Sequence, residues 1–228
     1  LNRLNELYGE VGRYDDQIFI LEKILKLDEN NEIAQSELAM AFESSGRDPL
    51  EIYRKRYENN PDNLSYGLDY SDRLNQVERF EDAIPILKNV IRKDPSSKLA
   101  YRKLAEASKA IDDLDGAAVA YEELFKIDPR DSRIAIYISD VQLENNDYRQ
   151  ALRWADKAAS LENSSGEGFG QKGKVYYYGW DAFRENPFTT DDRIVAKLAF
   201  DYFIKAEKKG FRGFSKSTWM EENSKDLL

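Results

Sequence analysis

The chain has 228 residues and contains neither histidine nor cysteine. This excludes imidazole general bases, thiolate nucleophiles, disulfides and metal sites built on either side chain. The cellular compartment stays open, because a chain without cysteine fits reducing and oxidising environments alike. Of its residues 34% are charged and only 6 are proline, which favours a helical protein over a sheet protein.

The net charge of −9 is unevenly distributed. Residues 1–163 carry 23 basic and 33 acidic side chains, whereas residues 164–228 carry 11 and 10. An acidic surface repels phosphate backbones and anionic lipid headgroups, so we expect neither nucleic acid nor a membrane surface as a partner. The alternative interpretation is that the charge only keeps an elongated protein in solution.

Proline-containing junctions recur along the chain with a fixed spacing. Pro61, Pro95 and Pro129 lie 34 residues apart, and each follows Asn or Asp. Between the junctions the chain carries two helical patterns separated by a short polar turn. The spacing predicts six successive helix-pair repeats, of which the second is two residues shorter and the last is enlarged. The predicted repeats are 1–29, 30–61, 62–95, 96–129, 130–163 and 164–211.

The repeat at 96–129 shows the pattern most clearly. Its first helix is predicted from about Ser97 to Ile111, behind a serine N-cap. Small and apolar residues follow Tyr101 at the i+3, i+4 and i+7 positions, which places them on one helix face. The second helix is predicted to end before Pro129, because proline disfavours helical geometry in the residue that precedes it.

Small residues recur at two positions of the repeats, where they allow antiparallel helices to approach closely. On the first helix this position is occupied by Ala39, Ser71, Ala105, Ser139 and Gly173. On the second helix it is occupied by Ala83, Ala117, Ala151 and Ala199. The second-helix position that fills the space beside them is occupied by Leu21, Tyr53, Leu87, Tyr121, Ala155 and Phe203.

The 34-residue period, the small residue of the first helix, the Ala-x3-aromatic run of the second helix and the terminal proline together resemble the tetratricopeptide repeat family. Ala199, Phe203 and Ala206 match the family's second-helix core, and Tyr148 with Ala151 matches its start. The resemblance covers nearly the whole chain. It implies an all-α fold, an α-α superhelix (solenoid) of about six antiparallel helix-pair repeats. It also implies that the first helices line an inner, concave surface that holds an extended peptide or a partner helix.

Four residues depart from the family pattern. Asn5 stands at the small first-helix position, and Gln17 and Pro49 stand at the small second-helix position. Pro85 lies inside the second helix of the third repeat, where we expect it to fall in the first turn, since proline is tolerated there. The departures predict that the N-terminal end has the least regular packing.

The last repeat holds its two family signatures 14 residues further apart than the other repeats do. Its first helix is predicted from about Gly166 past Phe183, followed by a loop at 184–190. Thr190 is expected to cap the helix that comes next. Residues 212–228 are expected to form either a terminal capping helix or the start of a further repeat.

Aromatic residues are concentrated in this enlarged repeat. Residues 169–219 hold 13 of the chain's 28 aromatic side chains. The resemblance places Tyr177 and Tyr178 where first-helix side chains line the inner surface. One interpretation is an aromatic platform for a peptide or small ligand. The other, which we favour, is that a longer helix requires more core.

The inner first-helix positions implied by the resemblance form the predicted partner-binding surface. Its acidic side chains favour a protein or peptide partner with lysine or arginine, and they have the wrong sign to hold a C-terminal carboxylate as some family members do. Three basic residues, Arg102, Lys103 and Arg133, interrupt the acidic residues midway and would bind an acidic group of the partner. Ordinary solvated charges remain the alternative. The predicted surface comprises Glu6, Glu37, Asp69, Asp72, Arg102, Lys103, Glu106, Arg133, Tyr137, Asp140, Lys174 and Tyr177.

These features predict a non-catalytic protein-interaction scaffold that needs no cofactor and no metal. Self-association is an open possibility, because uncapped ends of repeat proteins stack readily. Two alternatives remain. One is a repeat domain of a larger enzyme or envelope protein, suggested by the abrupt ends of the sequence. The other is a small-ligand site in the aromatic repeat.

Overall fold

The computed structural model of the protein describes residues 1–161 and 166–213. Over these residues the protein is all-α, and its twelve helices follow one another as six helix pairs, which confirms the predicted α-α solenoid class. The chain divides into an N-terminal unit, Leu1–Ala100, and a C-terminal unit, Tyr101–Leu228. The helices are α1 (Asn2–Glu10), α2 (Tyr14–Leu27), α3 (Glu32–Ser44), α4 (Leu50–Asn59), α5 (Leu64–Gln76), α6 (Phe80–Lys93), α7 (Lys98–Ala110), α8 (Leu114–Ile127), α9 (Ser132–Glu144), α10 (Tyr148–Ser160), α11 (Glu167–Phe183) and α12 (Thr190–Lys208).

Short polar side chains start many of these helices. Asn31 and Asn63 cap α3 and α5 by accepting hydrogen bonds from backbone N–H groups of the first turn. Asp113, Asp131 and Asp147 do the same for α8, α9 and α10. Each cap satisfies backbone donors that a helix start leaves free, and this fixes the boundaries that the repeat spacing predicts only approximately.

The turn inside each of the first five repeats contains a residue with positive φ. Gly12 and Gly46 adopt φ of 70° and 77°, at no steric cost for glycine. Glu78, Asp112 and Asn146 occupy the corresponding turns with φ of 59°, 63° and 60°. A left-handed residue therefore ends the first helix of each of these repeats, and the chain adopts the same turn whether or not the sequence supplies a glycine.

The core lies where the small residues predicted it. All nine residues at the two small positions are buried. Leu21, Leu87 and Phe203 are fully buried beside them, whereas Tyr53 on the ten-residue α4 is only half-buried. A Cβ atom added to Gly173 would lie 2.5 Å from Cδ1 of Phe203, so the ring occupies the space that a side chain would take.

Pro85 corrects one expectation. It lies in the second turn of α6 rather than the first, because the helix begins at Phe80. Proline has no N–H, so the carbonyl of Glu81 loses its helical donor. Glu81 and Pro85 are both exposed, and water can satisfy this carbonyl without breaking the helix.

Replacing Pro85 by alanine is therefore expected to stabilise the protein. Alanine restores the missing helical hydrogen bond, while proline's stiffening of the unfolded chain offsets part of the gain. We expect the free energy of unfolding to rise by about 1–2 kcal/mol. Urea unfolding of Pro85→Ala measures this, with Lys88→Ala as an exposed control in the same helix, and a loss of stability would contradict it.

The enlarged last pair gains its length mainly inside its helices. α11 and α12 have 17 and 19 residues, against 9 to 14 for the other described helices. α11 ends at Phe183 instead of running past it, and 184–189 connect the two helices. The insertion is thus mostly helical. Of the predicted C-terminal segment 212–228, residues 214–228 lie outside the described part of the chain.

The cap of α12 corrects the predicted one by a single residue. Thr189, rather than Thr190, accepts the hydrogen bond from the backbone N–H of Asp192, at 3.2 Å. The Asp192 carboxylate accepts in return from the backbone N–H of Thr189, at 2.7 Å. This reciprocal pair satisfies two backbone donors at once, which places the helix start one residue earlier.

Candidate partner-binding surfaces

The predicted acidic residues of the N-terminal unit lie on its first helices. Glu6 has a side chain that is 58% exposed, and it forms an ion pair with Arg3 at 3.2 Å on the same face of α1. The side chain of Asp69 is 48% exposed on α5. Glu37 and Asp72 are half-buried. The structure brings Glu6 and Glu37 together, because both line one cleft between α1 and α3.

A chain of amide hydrogen bonds fixes Glu37 at this cleft. Gln17 Nε2 donates to Asn5 Oδ1 at 3.2 Å, and Asn5 Nδ2 donates to Glu37 Oε2 at 2.5 Å. Asn5 is buried, so a polar side chain at this position needs such partners. The two first-repeat departures from the small-residue pattern are thus bonded to each other. The signal available in the sequence was that both carry a side-chain amide.

Arg56 of α4 is a buried cation beside Asp69 that the sequence analysis did not single out. Its guanidinium carbon lies 4.3 Å from the ring centroid of Tyr66, and its NH1 atom lies 3.9 Å from Oδ2 of Asp69. A buried positive charge at this distance offsets part of the negative charge that Asp69 presents to solvent. Arg56 follows Ile52 and Tyr53 at i+4 and i+3, on the helix face opposite the exposed Arg54, so helical periodicity is the sequence signal that marks its position as inward-facing.

In the C-terminal unit, the predicted basic residues differ in how available they are. Arg102 and Glu106 of α7 are exposed, and Lys103 is half-buried. Arg133 instead donates from Nε and NH2 to the two carboxylate oxygens of Asp131, at 3.0 and 2.9 Å. These hydrogen bonds lower the pKa of Asp131. A partner's acid would have to compete with this two-point pair for Arg133.

Asp140 and Lys174, both predicted surface residues, pair with each other. Lys174 Nζ lies 2.7 Å from Asp140 Oδ1, and Gln171 Nε2 donates to the same oxygen at 2.8 Å. Gln171 is buried and also donates to the hydroxyl of Ser139, which in turn donates to the carbonyl of Ala151. Asp140 is therefore an amide-held carboxylate that already has an internal ammonium.

Tyr137 presents an exposed edge of an aromatic pair. Its ring lies 5.5 Å from that of Tyr121, and it is 41% exposed while Tyr121 is buried. Burial, assisted by the negative charge of Glu106, raises the pKa of Tyr121 to about 12. The exposed part of the Tyr137 ring gives the C-terminal unit an apolar contact beside its charged residues.

Tyr121 is expected to make the fold sensitive to alkaline pH. Its pKa of about 12 in the folded protein exceeds the ordinary value of 10.0, so its contribution to stability is complete below about pH 10 and is lost towards pH 12. In Tyr121→Phe the free energy of unfolding should fall less steeply over this interval. Urea unfolding at several alkaline pH values measures the slope, and equal slopes for both proteins would contradict the expectation.

Six of the described aromatic side chains in the last repeat form one core cluster or pack against it. Trp180 and Phe203 are buried between α11 and α12. Tyr177 is half-buried, with its ring centroid 5.9 Å from that of Trp180, and Tyr178 is 44% exposed. The packing favours the structural interpretation of these residues over a small-ligand platform.

Comparison with solved structures identifies the fold class. A crystal structure of MamA is similar, with a TM-score of 0.57 at 20% identity over 70% of this chain and 85% of its own. Another MamA crystal structure covers 100% of this chain and 98% of its own at 18% identity, also with a TM-score of 0.57. A structure of Pseudomonas aeruginosa pilF covers 98% and 95%, with a TM-score of 0.56 at 18% identity. Likeness at these identities shows the fold alone.

No family model matches the chain. Within residues 1–161 and 166–213, no helix combines the length and the apolar character that crossing a membrane requires. The similarity to solved structures is therefore a similarity of helix-pair architecture. The binding properties of the surface depend on the side chains of this chain.

Proposed function

We propose that the chain is a tetratricopeptide-type interaction module that binds a protein or peptide partner rich in lysine or arginine on the surface of its first helices. The observation that carries the proposal is the cleft between α1 and α3, whose lining holds the carboxylates of Glu6 and Glu37 and no basic residue. The helix-pair fold shared with MamA and pilF supports it, because stacked helix pairs present long surfaces to partners.

The surface residues contribute unequally in this proposal. Glu6 and Glu37 supply most of the attraction in the N-terminal unit. Asp72 adds a carboxylate on α5, and the attraction of Asp69 is weakened by the neighbouring positive charge of Arg56. Within the C-terminal unit, Glu106 attracts a basic residue, and Arg102, Lys103 and the Tyr137 ring supply further contacts. Further contacts come from Tyr177, whereas Arg133, Asp140 and Lys174 are engaged within the protein.

The proposal assigns the chain no catalytic activity and no cofactor. In this proposal the chain recognises its partner through the shape and charge of its surface. The sequence supplies neither histidine nor cysteine as nucleophile, general base or metal ligand. The aromatic repeat is assigned to the core, because Trp180 and Phe203 are buried there.

Selection from a random peptide display library tests the proposal without a known partner. We expect the purified chain to enrich peptides with lysine or arginine. Their affinity should fall at least about tenfold in Glu6→Gln/Glu37→Gln, because each charge-assisted hydrogen bond contributes about 1.5–3 kcal/mol. Glu22→Gln, exposed on α2, is the matched control that should change nothing. Enrichment of acidic or purely apolar peptides, or equal affinity in all three proteins, would refute the proposal.

A further inference from the structure

The cleft between α1 and α3 has the dimensions of a site for one side chain. Its volume is about 250 Å3, below the roughly 300–1,000 Å3 of clefts that hold small-molecule ligands. Ile24 and Ala34 supply apolar lining, and Glu6 and Glu37 supply two carboxylates. An aliphatic stem with a charged end matches this combination, because the stem packs on apolar atoms while its end reaches the carboxylates.

Hydrogen bonds fix the carboxylate of Glu37 at this cleft. Its Oε2 atom accepts the amide hydrogen bond from Asn5, which is 5% exposed and is held in turn by Gln17. Among the described residues, no lysine or arginine forms an ion pair with Glu37. One amide hydrogen bond uses only part of the hydrogen-bonding capacity of a carboxylate. Because no basic residue lines the cleft, the rest of that capacity is left for a cation.

The C-terminal unit contains the completed form of the same chemistry. There Asp140, on one first helix, accepts from the buried amide of Gln171 on the next first helix, and Lys174 binds the same oxygen at 2.7 Å. In the N-terminal unit a carboxylate and a buried amide again lie on successive first helices, α3 and α1, and they border an open cleft whose lining contains no basic residue. Within this protein, therefore, a carboxylate that accepts a hydrogen bond from a buried amide is paired with a lysine ammonium group.

We propose that the cleft binds the side chain of a single lysine of the partner. The ammonium group lies between Glu6 and Glu37, as Lys174 lies against Asp140, and the methylene stem packs on Ile24 and Ala34. This inference rests on the proposed function, since it names the partner group that the acidic first-helix surface recognises. It assigns the recognition to one cleft rather than to the summed charge of the whole surface.

NMR titration of the full chain with N-acetyl-lysine N-methylamide tests the site directly. We expect saturable shifts in the millimolar range, focused on the side-chain amides of Asn2 and Asn5 and on the backbone of Ala34 and Glu37. The norleucine analogue, which keeps the four-carbon stem but lacks the ammonium group, should give no saturable shift. Equal shifts with both probes, or none with the lysine probe, would overturn the proposal.

Two variants separate the cleft from general acidity. Glu37→Gln keeps an acceptor for Asn5 but removes the charge, and should weaken the lysine probe at least about tenfold. Ile33→Lys places an internal ammonium on the exposed rim of the cleft, one helical turn from Glu37, and should compete with the probe to a similar extent. Glu22→Gln is the charge-matched control. Thermal unfolding verifies that each variant is folded, and wild-type affinity in both Glu37→Gln and Ile33→Lys would contradict the assignment.

The outcomes distinguish this inference from the proposed function. A lysine-rich peptide that binds wild type and Glu37→Gln equally well would leave the interaction module standing and overturn the lysine cleft. Saturable binding of the lysine probe, lost in Glu37→Gln, would support the cleft even if display selection returned no peptide, and in that case the wider interaction function would fail.

Discussion

Replacing Gly168 by alanine is expected to destabilise the C-terminal unit by about 2–3 kcal/mol, although alanine favours helices over glycine by about 1 kcal/mol. A Cβ atom at this position would lie 2.6 Å from Cα of Ala159 and 2.7 Å from the carbonyl carbon of Ala158. These are backbone atoms of α10, so no side-chain rotation relieves the clash. The two helices would have to separate, and close packing along their contact would be lost.

Gly179, on the same helix, is the matched control for this substitution. Its nearest neighbour for an added Cβ atom is Tyr148 Cδ1 at 3.6 Å, an ordinary van der Waals contact. Gly179→Ala should therefore stabilise the protein by up to about 1 kcal/mol through helix propensity alone. Thermal and urea unfolding of both variants give the comparison. Stabilisation by Gly168→Ala would show that α10 and α11 do not pack as closely as described.

Truncating Phe203 to alanine is expected to cost about 3–5 kcal/mol, the largest effect that we predict for a single residue. Its ring is fully buried, fills the space that Gly173 leaves free, and packs in one cluster with Trp180 and Ala196. Removal of the ring leaves a cavity that glycine and alanine neighbours cannot fill. The large second-helix residue is thus expected to be decisive for the stability of the last repeat.

Tryptophan fluorescence offers a local readout of this substitution. Trp154 and Trp180 lie in the described part of the C-terminal unit, and Trp180 is in the same cluster as Phe203, so their fluorescence reports unfolding there. Phe183→Ala, which removes a ring that is 72% exposed, should cost less than about 1 kcal/mol. Equal losses for Phe203→Ala and Phe183→Ala would contradict the burial on which the prediction rests.

Periodicity predicted the features that every repeat shares. The 34-residue spacing and the alternation of small and large residues predicted the helix pairs. They also predicted buried alanines such as Ala83 and buried large residues such as Leu21, because the same helix-pair packing recurs in every repeat. In the structure α4, which lies in the shortened second repeat, has ten residues.

What periodicity could not supply are contacts between residues far apart in sequence. The bond from Asn5 to Glu37 spans 32 residues, and each of these residues taken alone is an ordinary polar side chain. The contact between the Arg56 guanidinium and the Tyr66 ring also joins two different helices, α4 and α5, which the period within one helix does not predict. Pro85 was misplaced because water at an exposed carbonyl can replace a helical hydrogen bond, a compensation that a rule about proline does not contain.

The central claim is that the first helices bind the partner, and site-resolved photo-crosslinking tests it most directly. A selected basic peptide carrying a photoreactive residue next to its lysine is irradiated with the full chain, and the adducts are mapped by mass spectrometry. The account predicts adducts on α1 and α3, around Glu6 and Glu37, which disappear when excess unlabelled peptide is added. Adducts confined to the second helices, or to the connection at 184–189, would contradict it.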